Sequence, residues 1–194
     1  MSSENVIADV GITLVKLLED NMSDLKGSIA LLSPADEVSQ NIHLALSLYH
    51  IVENIDMKNQ ENSYIGTTQL QYPPLVLNLH YLLTAHSSNP DITERNLEEH
   101  KIIGRVMRIF YDNPVLTGSI LKGGLAESED QLRLTLNSMS LTEIMNIWQV
   151  IPNKHFKPSV SYMITPIRID SARKTTTKRV LERELNYSQF EVKK

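Results

Sequence analysis

The 194 residues are 41% apolar and 22% charged, with no cysteine, which suits a chain that folds around one core and excludes disulfides, thiolate nucleophiles, zinc ribbons and iron–sulfur clusters. The net charge of −4 is unevenly placed: residues 171–194 hold seven basic and three acidic side chains, and residues 1–170 hold twelve and twenty. An acidic body at −8 is therefore followed by a basic arm at +4, which suits an acidic surface such as that of a neighbouring subunit.

The first residues lack the basic flank of a signal peptide, and the helix that follows carries Asp9, Lys16, Glu19 and Asp20. In that helix, placed over residues 3–22, Ile7, Val10, Leu14, Leu17 and Leu18 recur at three- and four-residue steps and line one face. A short strand is expected over residues 28–32, before the Ser-Pro-Ala-Asp turn. Between Asn41 and Asp56, Ile42, Leu44, Leu46, Leu48 and Val52 alternate with His43, Ser47, Tyr49 and Glu53, the pattern of a long half-buried strand. The polar run 56–63 offers nothing to bury and is expected to be a loop.

A second strand is expected over residues 75–85. Leu75, Leu77, Leu79, Tyr81, Leu83 and Ala85 share one face, with Val76, Asn78, His80, Leu82 and Thr84 on the other. Pro73-Pro74 lies before it, because proline lacks the N–H that a central ladder needs. The apolar run is short of the roughly twenty residues that cross a bilayer, and Asn78 and His80 interrupt it. No membrane insertion is expected.

Asp91 and Glu94 form a capping-box pattern ahead of a helix over 92–111, whose apolar face is Ile102, Ile103, Val106, Met107, Ile109 and Phe110. Asn113-Pro114 is expected to open a short helical turn that Gly123-Gly124 ends. Leu132, Leu134 and Leu136 predict a third strand. Ser140 and Glu143 repeat the capping box before a helix bearing Leu141, Ile144, Met145, Ile147, Trp148 and Ile151, which Pro152 stops. A fourth strand over 157–169 alternates Val160, Tyr162 and Ile164 with Ser159, Ser161 and Met163. The elements mix without strict alternation. The predicted class is α+β: one domain over residues 1–170, an antiparallel-rich sheet of about four main strands packed against helices, and an extended C-terminal arm over 171–194.

No reactive constellation emerges. Of the six histidines, only His80 and His86 share a face of one strand, and six residues put them roughly 20 Å apart. Glu98, Glu99 and His100 lack the second histidine of a zincin helix, and no phosphate loop follows a strand. Ser119, in Thr117-Gly118-Ser119, lies in a turn rather than on a nucleophile elbow. No metal, cofactor or catalytic residue is expected, and a hydrolase is the weakest reading because no nucleophile and base pair up. Nucleic acid is not expected as a partner of an acidic body whose aromatic residues make up 6% of the chain. Trp148 reads as a core or interface anchor.

The candidate partner-binding residues are in the arm: Arg173, Lys174, Lys178, Arg179, Arg183, Tyr187 and Phe190. Residues 185–192 carry β-forming side chains suited to adding an edge strand to a partner. Removal of residues 172–194 is expected to leave the fold intact and abolish attachment.

Four blocks in this order carry a resemblance: residues 46–54, LSLYHIVEN; 72–85, YPPLVLNLHYLLTA; 99–108, EHKIIGRVMR; and 112–118, DNPVLTG. With residues 140–148 and 159–171 they resemble the cap, or tail-terminator, proteins of phage-tail-like contractile injection systems of the Photorhabdus virulence cassette and antifeeding prophage type. The resemblance covers residues 5–171. It implies a tail-terminator fold and a structural protein without chemistry or cofactor. It also implies a homo-oligomeric ring of six that closes the inner tube and the sheath, with tube and sheath proteins as partners. Assembly would be cytoplasmic, before the protein becomes part of a particle. The alternative reading is an adaptor that attaches the particle to a cell envelope or to cargo.

Overall fold

The computed structural model of the protein describes residues 4–33, 35–66, 68–128, 130–151 and 156–176. Its helices are α1 (Val6–Asn21), α2 (Ile92–Asp112) and α3 (Leu141–Gln149). Its strands are β1 (Ile29–Leu31), β2 (Leu44–Glu53), β3 (Ser63–Ile65), β4 (Gln69–Gln71), β5 (Leu75–Ala85), β6 (Val115–Leu116), β7 (Leu132–Leu136), β8 (Ser159–Ile169) and β9 (Lys174–Thr176). The four long strands expected from alternation are present as β2, β5, β7 and β8. The two- and three-residue strands β3, β4, β6 and β9 are additions too short for a period-two pattern to register.

The contacts divide the chain into two units. The larger comprises the segment up to Asn59 and Pro74–Asp170; the smaller comprises Gln60–Pro73 and the segment that begins at Ser171. In the larger unit six strands follow the order β1-β2-β5-β8-β7-β6. Only β1 and β2 run parallel, and the other pairs are antiparallel.

The core forms on the face of β5 that alternation assigns. Leu77, Leu79, Tyr81, Leu83 and Ala85 pack with Leu44 and Leu46 of β2 and with Tyr162, Ile164 and Ile167 of β8. Helix α1 covers them with Val10, Leu14, Leu17 and Leu18, and α2 with Val106, Ile109 and Phe110. Phe110 meets Tyr162 edge-on at 4.8 Å, an arrangement worth about 0.5–1.5 kcal/mol beyond the area buried. Leu75, expected on this face, is 46% exposed at the strand's first position.

The alternation fails at two irregularities. The β2–β5 register shifts between Leu48 and His50, so Leu48 lies opposite Tyr81, His50 opposite His80 and Val52 opposite Asn78. Tyr49 is the extra residue of a bulge, and beyond it the phase inverts: Val52, expected on the core side, falls on the opposite face with His50. A second shift separates Leu77↔Ile167 from Leu79↔Ile164. There β8 carries the cis Thr165–Pro166 bond, and Ile167 returns to the core.

The Pro114 segment also departs from expectation. Pro114 precedes strand β6 rather than a helical turn, and Gly123 begins a 3-10 turn, Gly123–Glu127, instead of ending a helix. The cause is in α1. Asp9 points inward, 8% exposed, and accepts the Gly124 N–H at 2.9 Å. Thr13 Oγ1 donates to the Asp9 carbonyl at 2.7 Å and accepts the Lys122 N–H at 3.0 Å. This buried polar pair fastens residues 122–124 to the helix. Gly123 has φ +62°, and a Cβ there would lie 2.0 Å from Asp9 Oδ1.

The N-cap of α2 is half a capping box: Asp91 Oδ1 accepts the Glu94 N–H at 2.9 Å, while the Asp91 N–H goes to Asn89. Glu98 and Glu99, unassigned in the sequence, form a clasp where β5 leads into α2. Glu99 accepts from the Ser87 N–H at 3.1 Å and Lys157 Nζ at 2.7 Å. Glu98 accepts from the Ser87 hydroxyl and from Asn89, and these bonds hold its carboxyl below the usual carboxylate value. Arg105 on α2 grips Asp24, just beyond α1, with two hydrogen bonds of 2.7 and 2.6 Å. That pairing brings the Asp24 carboxyl down to about 2.

Two predictions follow from these contacts. Gly27 also has positive φ, +79°, but open space around it, so Gly27→Ala should cost only the left-handed penalty, about 1–2 kcal/mol. Gly123→Ala adds the collision with Asp9 and should unfold at lower denaturant; equal midpoints would show that the 122–124 clasp yields freely. Asp24 titrates below its ordinary 3.8 when folded, so its stabilisation is complete above pH ~4 and disappears as pH falls towards 2. Because the pair is exposed, Asp24→Asn should lower stability at pH 7 by at most about 1 kcal/mol, and thermal unfolding should show the gap closing by pH ~2.

Candidate interaction surfaces

The smaller unit contains the described part of the basic arm. Strands β3, β4 and β9 form a three-stranded antiparallel sheet in that order. The register is Gln69↔Thr176, Leu70↔Thr175 and Gln71↔Lys174. The Tyr72 N–H continues the ladder to the Arg173 carbonyl at 3.2 Å, and Gln71 Nε2 donates to the Ser171 carbonyl at 2.8 Å. The Arg173 guanidinium lies over the Tyr72 ring, 4.1 Å from its centre, a cation–π contact. The arm therefore begins as a strand of its own chain. Removing residues 172–194 would delete β9, which corrects the expectation that such a cut spares the whole fold.

Arg173 and Lys174 are both exposed, the first stacked on Tyr72 and the second opposite Gln71. Lys178, Arg179, Arg183, Tyr187, Phe190 and the strand-forming stretch 185–192 lie outside the described residues. No strand residue of this sheet is buried, and Tyr64 and Ile65 are 65% and 38% exposed. A three-stranded sheet normally needs one covered apolar face.

The larger unit offers two further surfaces. One is α3. Its capping box forms as read, with Ser140 Oγ accepting the Glu143 N–H and Glu143 returning to the Ser140 N–H at 2.7 Å. The helix buries none of its residues. Ile144, Ile147 and Trp148 are half-buried, whereas Leu141 and Met145, expected on the same apolar face, are 64% and 43% exposed. Trp148 stands edge-on to Phe156 at 6.3 Å, and its Nε1–H is buried without a partner among the described residues, a cost of about 1–3 kcal/mol.

The other surface is the sheet face away from the main core. There Tyr49 Oη lies 2.8 Å from Ser161 Oγ, donates to Met139 Sδ at 3.4 Å and accepts from Asn137. Asn78 Oδ1 takes hydrogen bonds from Thr165 Oγ1 at 2.5 Å and Asn54 Nδ2 at 3.0 Å. Between these groups the His50 and His80 rings stand 5.2 Å apart, with Tyr49 6.0 Å from His80. Burial, followed by the nearby His50, holds His80 below the usual imidazole value. The sequence reading tested His80 against His86 along one strand and missed this pair. A period-two pattern sees only one strand, and the bulge at Tyr49 changes which residue faces His80.

Among the described residues no group of three or more histidine, cysteine, aspartate or glutamate side chains converges on one point. Among them also, no helix is long and apolar enough to cross a membrane.

The Pvc16 N-terminal domain family matches residues 9–183. The chain belongs to that family. The resemblance drawn from the sequence blocks is thereby borne out. Two solved structures share the fold of this Pvc16 N-terminal domain. One is the PVC sheath/tube terminator, in the extended state, of an extracellular contractile injection system: 17% identity and a TM-score of 0.67 over 98% of this chain and 66% of that one. The other is the anti-feeding prophage cap, a tube-terminating cap: 16% identity and a TM-score of 0.64 over 93% of this chain and 61% of that one. The chain thus spans less than two thirds of either structure's length, and at these identities the likeness speaks for the fold. The α+β, tail-terminator-like class expected from sequence is the observed one. The sequence matches no curated protein.

Arg173→Ala or Tyr72→Ala removes a contact worth about 0.5–1 kcal/mol at an exposed site. Hydrogen exchange should quicken at the amides of residues 69–71 and 174–176, while the thermal midpoint of the larger unit stays unchanged. Unchanged exchange would show that the ladder alone holds β9.

Proposed function

We propose that the protein is a structural, non-enzymatic cap of a contractile injection system. It forms a ring of six copies that closes the inner tube and sheath at the end away from the baseplate and stops their growth. The observation that carries this reading is the shared fold, over 98% of the chain, with a sheath/tube terminator, joined by a like match to a tube-terminating cap. Termination also makes physical sense. A stack of identical rings presents an unsatisfied interface at its growing end, and a ring that covers it without repeating it halts addition.

In this reading residues 1–170 make the contacts within the ring, while residues 171–194 reach sheath or tube protein. Arg173, Lys174, Lys178, Arg179, Arg183, Tyr187 and Phe190 are the contacting side chains. The support is the arm's charge of +4 beside a body at −8 and a small sheet in which no strand residue is fully buried. Assembly takes place in the cytoplasm, and the finished protein belongs to an extracellular phage-tail-like particle.

Electron microscopy of particles assembled with and without the protein tests the reading. Overlong, variable or unsheathed tubes are expected in its absence; tubes of normal length with normal ends would overturn termination and favour the adaptor. A chain ending at Thr176 keeps β9 and should fold as a ring that no longer attaches to sheath or tube. Attachment by that chain would remove the role of residues 177–194.

A further inference from the structure

The geometry points to a soft-metal site on the sheet face away from the main core, built from His50, His80 and Met163 and taking copper(I) in preference to zinc. It lies within one chain and stands independently of the cap reading.

The three donors form a row across three strands. His50 of β2 is directly opposite His80 of β5, and His80 is directly opposite Met163 of β8. Directly opposed residues on antiparallel strands have Cβ atoms about 4.5–5.5 Å apart, close enough for both side chains to reach one ion. The separation of the rings fits this. Two imidazoles that share a tetrahedral ion at metal–nitrogen distances of about 2.0–2.1 Å have ring centres roughly 5 Å apart, and here the centres are 5.2 Å apart.

His80 Nδ1 supplies the second observation. It is shut off from water and has no hydrogen-bond partner among the described residues, whereas buried polar atoms are nearly always satisfied. A cation held between the rings would give this nitrogen a partner.

The donor set selects the ion. Imidazole alone suits zinc, copper and nickel, whereas a thioether favours copper(I). The Met139 thioether nearby already accepts the Tyr49 hydroxyl, which leaves Met163 as the sulfur in the row. His50 is exposed, so the site opens to solvent on the His50 side, where water or a donor from another chain completes the coordination.

The test is a competition titration of the tag-free full chain with copper(I), under anaerobic conditions against a chromophoric chelator, repeated with zinc(II). One copper(I) per chain is expected. His50→Asn and His80→Asn should each weaken it at least about tenfold, the loss that even an outer-shell change causes. Met163→Leu should weaken copper(I) and leave zinc(II) unchanged. His43, His86 and the N-terminal amine remain in every variant, so equal copper binding by wild type and both histidine variants would overturn the site. An unchanged copper(I) affinity in Met163→Leu would overturn the preference for copper. Circular dichroism confirms folding, and His50→Asn, at an exposed position, keeps the test decisive if His80→Asn does not fold.

Discussion

The architecture of the larger unit depends on β5 being paired along both edges and buried on its core face. Its eleven residues ladder with β2 on one side and β8 on the other. Leu79 and Leu83 have no exposed surface, and Tyr81 only 2%. Burying such side chains stabilises the unit by about 1.5–3 kcal/mol each. The other strands and both long helices take their places relative to this strand. The odd-numbered side chains of β5 define where α1 and α2 must lie, and the even-numbered ones define the opposite face.

Much of this was legible in the amino-acid order. Unbroken alternation marked β5 and β7 by residue number, and three- and four-residue spacing with a capping residue marked α2 and α3. Alternation is a count along one strand, so it loses phase wherever a residue is inserted. The bulge at Tyr49 moved Val52 to the other face, and the irregularity at Thr165–Pro166 moved Ile167 back to the core. Tyr49 gives no sign of this, because its bulge is settled by the partner strand, whereas Pro166, which has no N–H for a ladder, marks the second irregularity.

The segment after Pro114 was misread for a related reason. Proline and glycine report what the backbone can do locally, and Pro114 and Gly123 suit the ends of a helix. The outcome was decided by Asp9 and Thr13, more than a hundred residues earlier, which hold the backbone of 122–124. The arm's first strand was hidden likewise. Lys-Thr-Thr has no apolar face, and β9 exists because Gln69–Gln71 offers it a ladder. Of the candidate partner-binding residues, the sequence located the charge, while the geometry added Tyr72 beneath Arg173.

The pairing of β4 with β9 joins residues 69–71 to 174–176, and a chain is made from its N-terminus onward. During synthesis the first two strands of the small sheet emerge long before their third. The six strands of the large sheet, by contrast, are all present once Ile169 has emerged. Completion of the small sheet therefore follows that of the large one. A nascent chain would acquire a closed core before it acquires the surface assigned to its partners, which separates folding from assembly in time.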